Sequence, residues 1–131
     1  MQTTVIVALV LHILSGVFWA GSTFVLARTG GDQAGRLFRP QMGAAVVAIA
    51  SGAALWFLLH RGTPGIQERL LEIGAVSALL AAAVRVYGAR AFRTAAIGTA
   101  GTLATSRAPS QRVAAALLAV TVICMAAARY L

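Results

Sequence analysis

Four long apolar stretches constrain the fold of this 131-residue chain more than any other feature of its sequence. A helix that crosses the hydrocarbon core of a bilayer, about 30 Å thick, needs roughly 20 apolar residues. Four segments reach that length, at residues 4–27, 41–60, 68–88 and 112–130. Lipid offers no hydrogen-bond partner to an open backbone, so each segment is predicted to be an α-helix. The expected fold is therefore all-α, an integral membrane four-helix bundle in which residues 1–131 form one membrane domain.

Composition supports a membrane protein and excludes several other classes. Hydrophobic residues make up 60% of the chain and charged residues 11%, whereas soluble domains carry about 45–50% and about 25%. Such a composition excludes a disordered chain and a collagen-like repeat. The one cysteine, Cys124, can form no intrachain disulfide and fits no zinc-binding spacing, which excludes a disulfide-stapled module.

The formal net charge is +8, and the basic residues are all arginines placed between the apolar segments. This placement favours anionic lipid headgroups as partners and argues against nucleic acid. Most of these residues border the first and third connections: Arg28, Arg36, Arg39, Arg85, Arg90, Arg93, Arg107 and Arg112. The others, Arg61, Arg69 and Arg129, lie toward the opposite side. Because basic residues near span ends stay in the cytoplasm, both termini of this multi-pass membrane protein are predicted to be non-cytoplasmic.

Three features of the second and third segments predict local structure. Pro40 is expected at the start of the second helix, where its missing N–H would have no partner. Arg85, near the end of the third segment, is expected to snorkel to the cytoplasmic surface. Small residues on the second helix allow close helix approach and favour self-association into a homo-oligomer. These small residues are Gly43, Ala44, Ala48, Ser51 and Gly52.

His12 is the main candidate for chemistry, because ionisable residues inside a span are costly and mark either a functional site or a paired structural group. On a 3.6-residue period it shares a face with small and polar residues: Ala8, Ser15, Gly16, Trp19 and Thr23. The opposite face carries bulky apolar residues: Val10, Leu14, Val17 and Phe24. We therefore expect His12 to point into the bundle. There it is either a ligand or a packing histidine satisfied by one hydrogen bond to a carbonyl or hydroxyl.

Helix depth predicts a group of potential ligands near His12 in the outer leaflet. With a rise of about 1.5 Å per residue, Glu72, Cys124 and Met125 fall within about one helical turn of its depth. Cys124 and Met125 are soft donors suited to Cu(I) or to an axial position on haem. As alternatives, the two sulfur residues can fill a helix seam, and Glu72 can pair with Arg69 three residues earlier.

His60, at the end of the second segment, is another candidate metal ligand. It is expected near the outer interface, about 12 Å shallower than His12 at the same rise per residue. That difference in depth makes the two histidines a poor pair for one haem within a single chain. Next to Arg61, His60 is either a ligand or a solvated interfacial residue.

With His12 placed, the run LHILSGVFWAGSTFVLAR resembles the opening helix of two related groups of small bacterial membrane proteins. These are the copper resistance protein D family and the four-helix membrane protoporphyrinogen oxidases, whose first helix carries a histidine followed by a tryptophan and small residues. The second segment, LFRPQMGAAVVAIASGAALWFLL, is similar in its basic start, its Pro and Met, and its late Gly-x-x-x-Trp. RLLEIGAV resembles the start of the oxidases' third helix.

This resemblance implies a haem b or a copper ion near His12, with Arg69 where the oxidase has its basic residue. The chain departs from the oxidase pattern because it has no lysine and carries Glu72 in the following turn.

Three functional hypotheses follow. The leading one is a haem-b-binding redox protein in which His12 is one axial ligand, Met125 or a partner's side chain is the other, and Arg69 lies near a propionate. The second is copper handling of the copper resistance protein D type, through His12, Cys124 and Met125. The third is a non-catalytic subunit that scaffolds a larger membrane complex.

Overall fold

The computed structural model describes residues 2–30, 33–59, 65–96 and 107–130. The helices within these residues are α1 (Gln2–Arg28), α2 (Ala34–Leu59), α3 (Ile66–Ala96) and α4 (Arg107–Ala128). Each of the four is long and apolar enough to cross a membrane. The predicted all-α fold with four candidate membrane spans is thereby confirmed.

The helices are longer than the predicted spans, most clearly at the arginine-rich connections. The candidate span in α3 ends at Ala91 and the one in α4 begins at Pro109. Beyond that span, α3 continues to Ala96, so it includes the first residues of the third connection. The rest of that connection, residues 97–106, lies outside the described residues.

Local hydrogen bonds mark the end of α1 and the start of α3. The N–H and the hydroxyl of Thr29 both donate to the Val25 carbonyl, at 3.0 Å each. Gly30 follows with a φ of +69°, a left-handed conformation that glycine adopts without steric cost and that turns the chain toward α2. At the start of α3, Glu68 Oε2 accepts the N–H of Gly65 at 2.8 Å, which satisfies a backbone donor as in a capping box.

The prediction that Pro40 opens α2 is wrong, because the helix begins at Ala34. The Gln33 carbonyl accepts the N–H groups of Arg36 and Leu37, at 3.1 Å each, so a first turn forms ahead of the proline. Pro40 therefore lies inside the helix. There its ring removes the N–H that would have bonded to the carbonyl four residues earlier.

The helices pack as two antiparallel pairs, α1 with α2 and α3 with α4. Contacts between α1 and α4 join the pairs, whereas α2 and α3 meet only sparsely. The direction of α4 follows from two glycines of α3: Gly74 faces Cys124, and Gly88 faces Ser110. The core between the pairs consists mainly of small residues packed on one tryptophan and one leucine: Trp19, Ala45, Ala48, Ala78, Ala81 and Leu118.

The predicted faces of α1 are confirmed. Trp19 and Thr23 are buried, and Ala8, His12 and Gly16 are half-buried. The bulky residues predicted to face lipid are exposed: Val10, Leu14, Val17 and Phe24. Apolar side chains exposed in this way are expected where the surrounding solvent is lipid.

The small-residue face of α2 differs from the expectation. Ala48 and Ser51 are buried and Gly52 is half-buried, but Gly43 is exposed. The buried part packs against His12 of α1. Close approach at this face therefore joins α1 and α2 of one chain, and self-association stays a prediction.

Candidate functional site

His12 lies on the seam between α1 and α2. Its Nδ1 is 2.8 Å from the carbonyl oxygen of Ala48. Because a carbonyl only accepts, the Nδ1–H donates, and the lone pair of the neutral ring is on Nε2. The Ser51 hydroxyl, 3.4 Å from the same nitrogen, donates to the Val47 carbonyl at 2.6 Å. The expected orientation of His12 into the bundle is confirmed, with the carbonyl bond that was predicted for a satisfied imidazole.

Gly52 gives the imidazole its place against α2. A Cβ added at this position would lie 2.9 Å from Cε1 and 3.2 Å from Nδ1 of His12. These distances are shorter than van der Waals contact, so the ring packs directly on the backbone of α2, and an alanine there would force the ring or the helix to shift. The Ala48 carbonyl and Gly52 together fix both the position and the rotation of the ring.

An open, largely apolar groove of about 630 Å³ runs along the α1–α2 seam and is lined by neighbours of His12, but not by His12 itself. On α1 its lining includes Ala8 and Leu11, which precede His12 by one turn and by one residue. On α2 it includes Ser51, whose hydroxyl lies next to the imidazole. The lining is mostly aliphatic, with three hydroxyl residues among its ten, so the groove suits an apolar ligand better than a charged one.

Cys124 and Met125 lie on the other seam, between α3 and α4. A Cβ added at Gly74 would lie 3.4 Å from Cys124 Cβ and 3.6 Å from Met125 Cγ. Both sulfur residues are half-buried against α3, whereas the imidazole of His12 contacts α2. These contacts agree with the alternative interpretation of the sequence, in which the two side chains pack between helices. In the described part of the chain, no three His, Cys, Asp or Glu side chains lie close enough to hold one metal ion.

Arg69 and Glu72 are both exposed in the first turns of α3. No ion pair joins them within the described residues, so the expected pairing is wrong. At this end of α3, the carboxylate of Glu68 accepts a hydrogen bond from the Gly65 N–H. The remaining candidate ligand, His60, lies outside the described residues.

A buried polar group at Arg85 is the feature that sequence reasoning missed. Arg85 is 4% exposed and Gln41 is fully buried. Nη2 of Arg85 donates to Gln41 Oε1, and Gln41 Nε2 donates to the Ser22 hydroxyl at 2.8 Å. The prediction that Arg85 snorkels to the surface is therefore wrong, because this chain of bonds holds the guanidinium between α2 and α3.

One signal in the sequence could have revealed this group. Arg85 and Gln41 both lie inside the predicted spans, each within a turn of the arginine-rich end. Polar residues at matching depth on two helices are candidates to bond with each other in lipid.

No known family, no curated protein and no solved structure matches this chain.

Proposed function

We propose that this chain is a membrane protein that binds haem b through Nε2 of His12. The observation that carries the proposal is the hydrogen bond from Nδ1 to the Ala48 carbonyl. Histidines that bind metal almost always donate their other ring N–H to a carbonyl, a carboxylate or water. That bond fixes the tautomer and makes the remaining nitrogen a better ligand. The tautomer and orientation of His12 therefore suit the iron of a haem.

The groove on the α1–α2 seam supports the same proposal. Cofactor sites are concave, mostly apolar and about 300–1,000 Å³ in volume, and this open groove has about 630 Å³ with a mostly aliphatic lining. Haem would supply the electron transfer, while the chain supplies an axial ligand and apolar cover. Ala8 and Leu11 would provide that cover next to His12.

Arg69 keeps its proposed role near a propionate, and Met125 stays one proposed source of the second axial ligand, although its described contacts lie on the α3–α4 seam. Met125 lies against α3, so a partner's side chain is the alternative source of the second ligand, either in a homo-oligomer or in a larger membrane complex. Met125→Leu distinguishes the two sources. Loss of a methionine ligand lowers the reduction potential of the bound haem, whereas an unchanged potential assigns the ligand to the partner.

The proposed setting is the bacterial inner membrane, with both termini on the non-cytoplasmic side. The distribution of arginines between the connections supports this orientation. Cysteines introduced near each terminus are expected to react with a membrane-impermeant thiol reagent in intact cells. Such cysteines would be placed in a Cys124→Ala background, so that the introduced thiol is the only one in the chain.

The absorption spectrum of the purified full chain, supplemented with haem, tests the proposal. The chain has two histidines, so His60→Ala is the matched control for His12→Ala. We expect a Soret band in the wild type and in His60→Ala, and loss of that band in His12→Ala. A Soret band of equal strength in His12→Ala, or none in the wild type, would contradict the proposal. In the second case, stoichiometric Cu(I) binding would favour copper handling instead.

A further inference from the structure

Arg85 is the only charged residue among the described side chains that is buried. Its Nη2 has an acceptor in Gln41, but its Nε has none within the described residues. Gln41 is neutral, so this hydrogen bond supplies no negative charge to compensate the guanidinium. A buried charge without a counter-ion costs several kcal/mol in a medium of low dielectric constant.

The described carboxylates are too far away to compensate this charge. Glu68 and Glu72 lie in the first turns of α3, and the nearer of the two precedes Arg85 by 13 residues. At about 1.5 Å per residue, this separation is about 20 Å along the helix. Glu68 is also engaged with the Gly65 N–H. The third acidic residue of the chain, Asp32, lies outside the described residues.

Two other buried side-chain polar atoms also lack a hydrogen-bond partner within the described residues. Trp19 is 3% exposed, and its Nε1–H finds no acceptor among the described residues. Trp19 belongs to the same core cluster as Ala81, which precedes Arg85 by one turn. The Trp19 carbonyl accepts from the Ser22 hydroxyl, at 3.2 Å, and that hydroxyl accepts from Gln41. Trp19 therefore lies about one turn along α1 from the bonds that hold Arg85.

Gln111 of α4 is also buried, with 4% of its surface exposed, and its Oε1 has no donor within the described residues. An amide side chain can turn over to present its NH₂ instead of its oxygen. The core therefore holds two N–H donors without acceptors, those of Arg85 Nε and Trp19 Nε1. Rotation of the Gln111 amide would add its NH₂ as a third donor. Arg85 and Gln41 bridge α2 and α3, two helices that otherwise meet only sparsely.

We propose that Arg85 is the centre of a binding site for a small monovalent anion. The anion compensates the guanidinium charge and accepts hydrogen bonds from the orphan donors, Arg85 Nε–H and Trp19 Nε1–H. Charge-assisted hydrogen bonds of this kind are the strong ones in a dry interior. The proposal does not depend on haem binding, because it concerns a different seam and a different set of residues.

Trp19 provides the readout, because bromide in contact with an indole quenches its fluorescence. The chain has two tryptophans, so Trp56→Phe leaves Trp19 as the only one. The full-length Trp56→Phe protein, in zwitterionic detergent, is titrated with bromide that replaces gluconate at constant ionic strength. We expect quenching that saturates and that added chloride reverses by competition. Arg85→Lys in this background should need about tenfold more bromide, since it loses a charge-assisted bond.

The exposed residue Arg90 supplies the control, because Arg90→Lys makes the same substitution on the same helix without touching the core. Its bromide titration should match that of the parent protein. Quenching that rises linearly with bromide and is unaffected by chloride would overturn the proposal. Equal bromide concentrations for half-maximal quenching in Arg85→Lys and in its parent would overturn it as well. If Arg85→Lys does not fold, reversal of the bromide quenching by chloride in the Trp56→Phe protein is the test: reversal supports the proposal, and its absence overturns it.

Discussion

Gly52→Ala is expected to lower the free energy of unfolding by about 1–3 kcal/mol, the usual cost of overpacking. The added methyl group would lie 2.9 Å from Cε1 of His12, so the imidazole or the backbone of α2 must shift. A shift of the ring also breaks the bond between its Nδ1 and the Ala48 carbonyl. The midpoint of thermal unfolding in detergent is expected to fall, and haem binding to weaken with it.

Gly43→Ala is the matched control, because it makes the same substitution on the same helix. A Cβ at this position meets nothing within 4 Å. Replacing an exposed helical glycine with alanine gains up to about 1 kcal/mol from helix propensity. The two variants should therefore change stability in opposite directions. Equal stabilisation by both would show that the α1–α2 seam is looser than the structure describes.

Gln41→Leu is expected to destabilise the protein by about 1.5–3 kcal/mol, the usual contribution of a hydrogen bond to a charged group. The substitution removes the acceptor for Arg85 Nη2 and the donor to the Ser22 hydroxyl. It leaves a buried guanidinium with no hydrogen-bonding side chain from α2. Thermal unfolding of the purified variant measures the loss, with Gln67→Leu as the control at an exposed position of α3.

A second substitution tests the physical reason for that loss. Arg85→Met combined with Gln41→Leu removes both the charge and its acceptor, and apolar replacement of a buried polar pair is often nearly neutral. The double variant should therefore be more stable than Gln41→Leu alone. If the double variant loses as much free energy of unfolding as Arg85→Met and Gln41→Leu lose in sum, Arg85 and Gln41 are not coupled.

Helix content and helix faces could be predicted from the sequence. The length of the apolar segments fixes the number of candidate spans, and the 3.6-residue period separates the face of His12 and Trp19 from that of Leu14 and Val17. The inward orientation of His12 follows from that period. These properties depend on neighbours within one helix, which a sequence displays directly.

Pairing between helices could not be predicted in the same way. Depth along each helix places Met125 near the level of His12, but helix rotation puts their contacts on different seams. Arg85 has the length and position to snorkel to the surface. It is buried instead because Gln41, on another helix, accepts a hydrogen bond from it. Pro40 shows the same dependence at short range, since the Gln33 carbonyl starts α2 ahead of it.

The tautomer of His12 is the most direct test of the proposed haem ligand. His60→Ala leaves one histidine in the chain, so ¹⁵N NMR of the neutral ring reports on His12 without ambiguity. The proposal predicts a proton on Nδ1 in the haem-free protein, and a paramagnetic effect that is strongest at Nε2 once haem is added. A proton on Nε2, or an Nε2 signal that haem leaves unchanged, would contradict it.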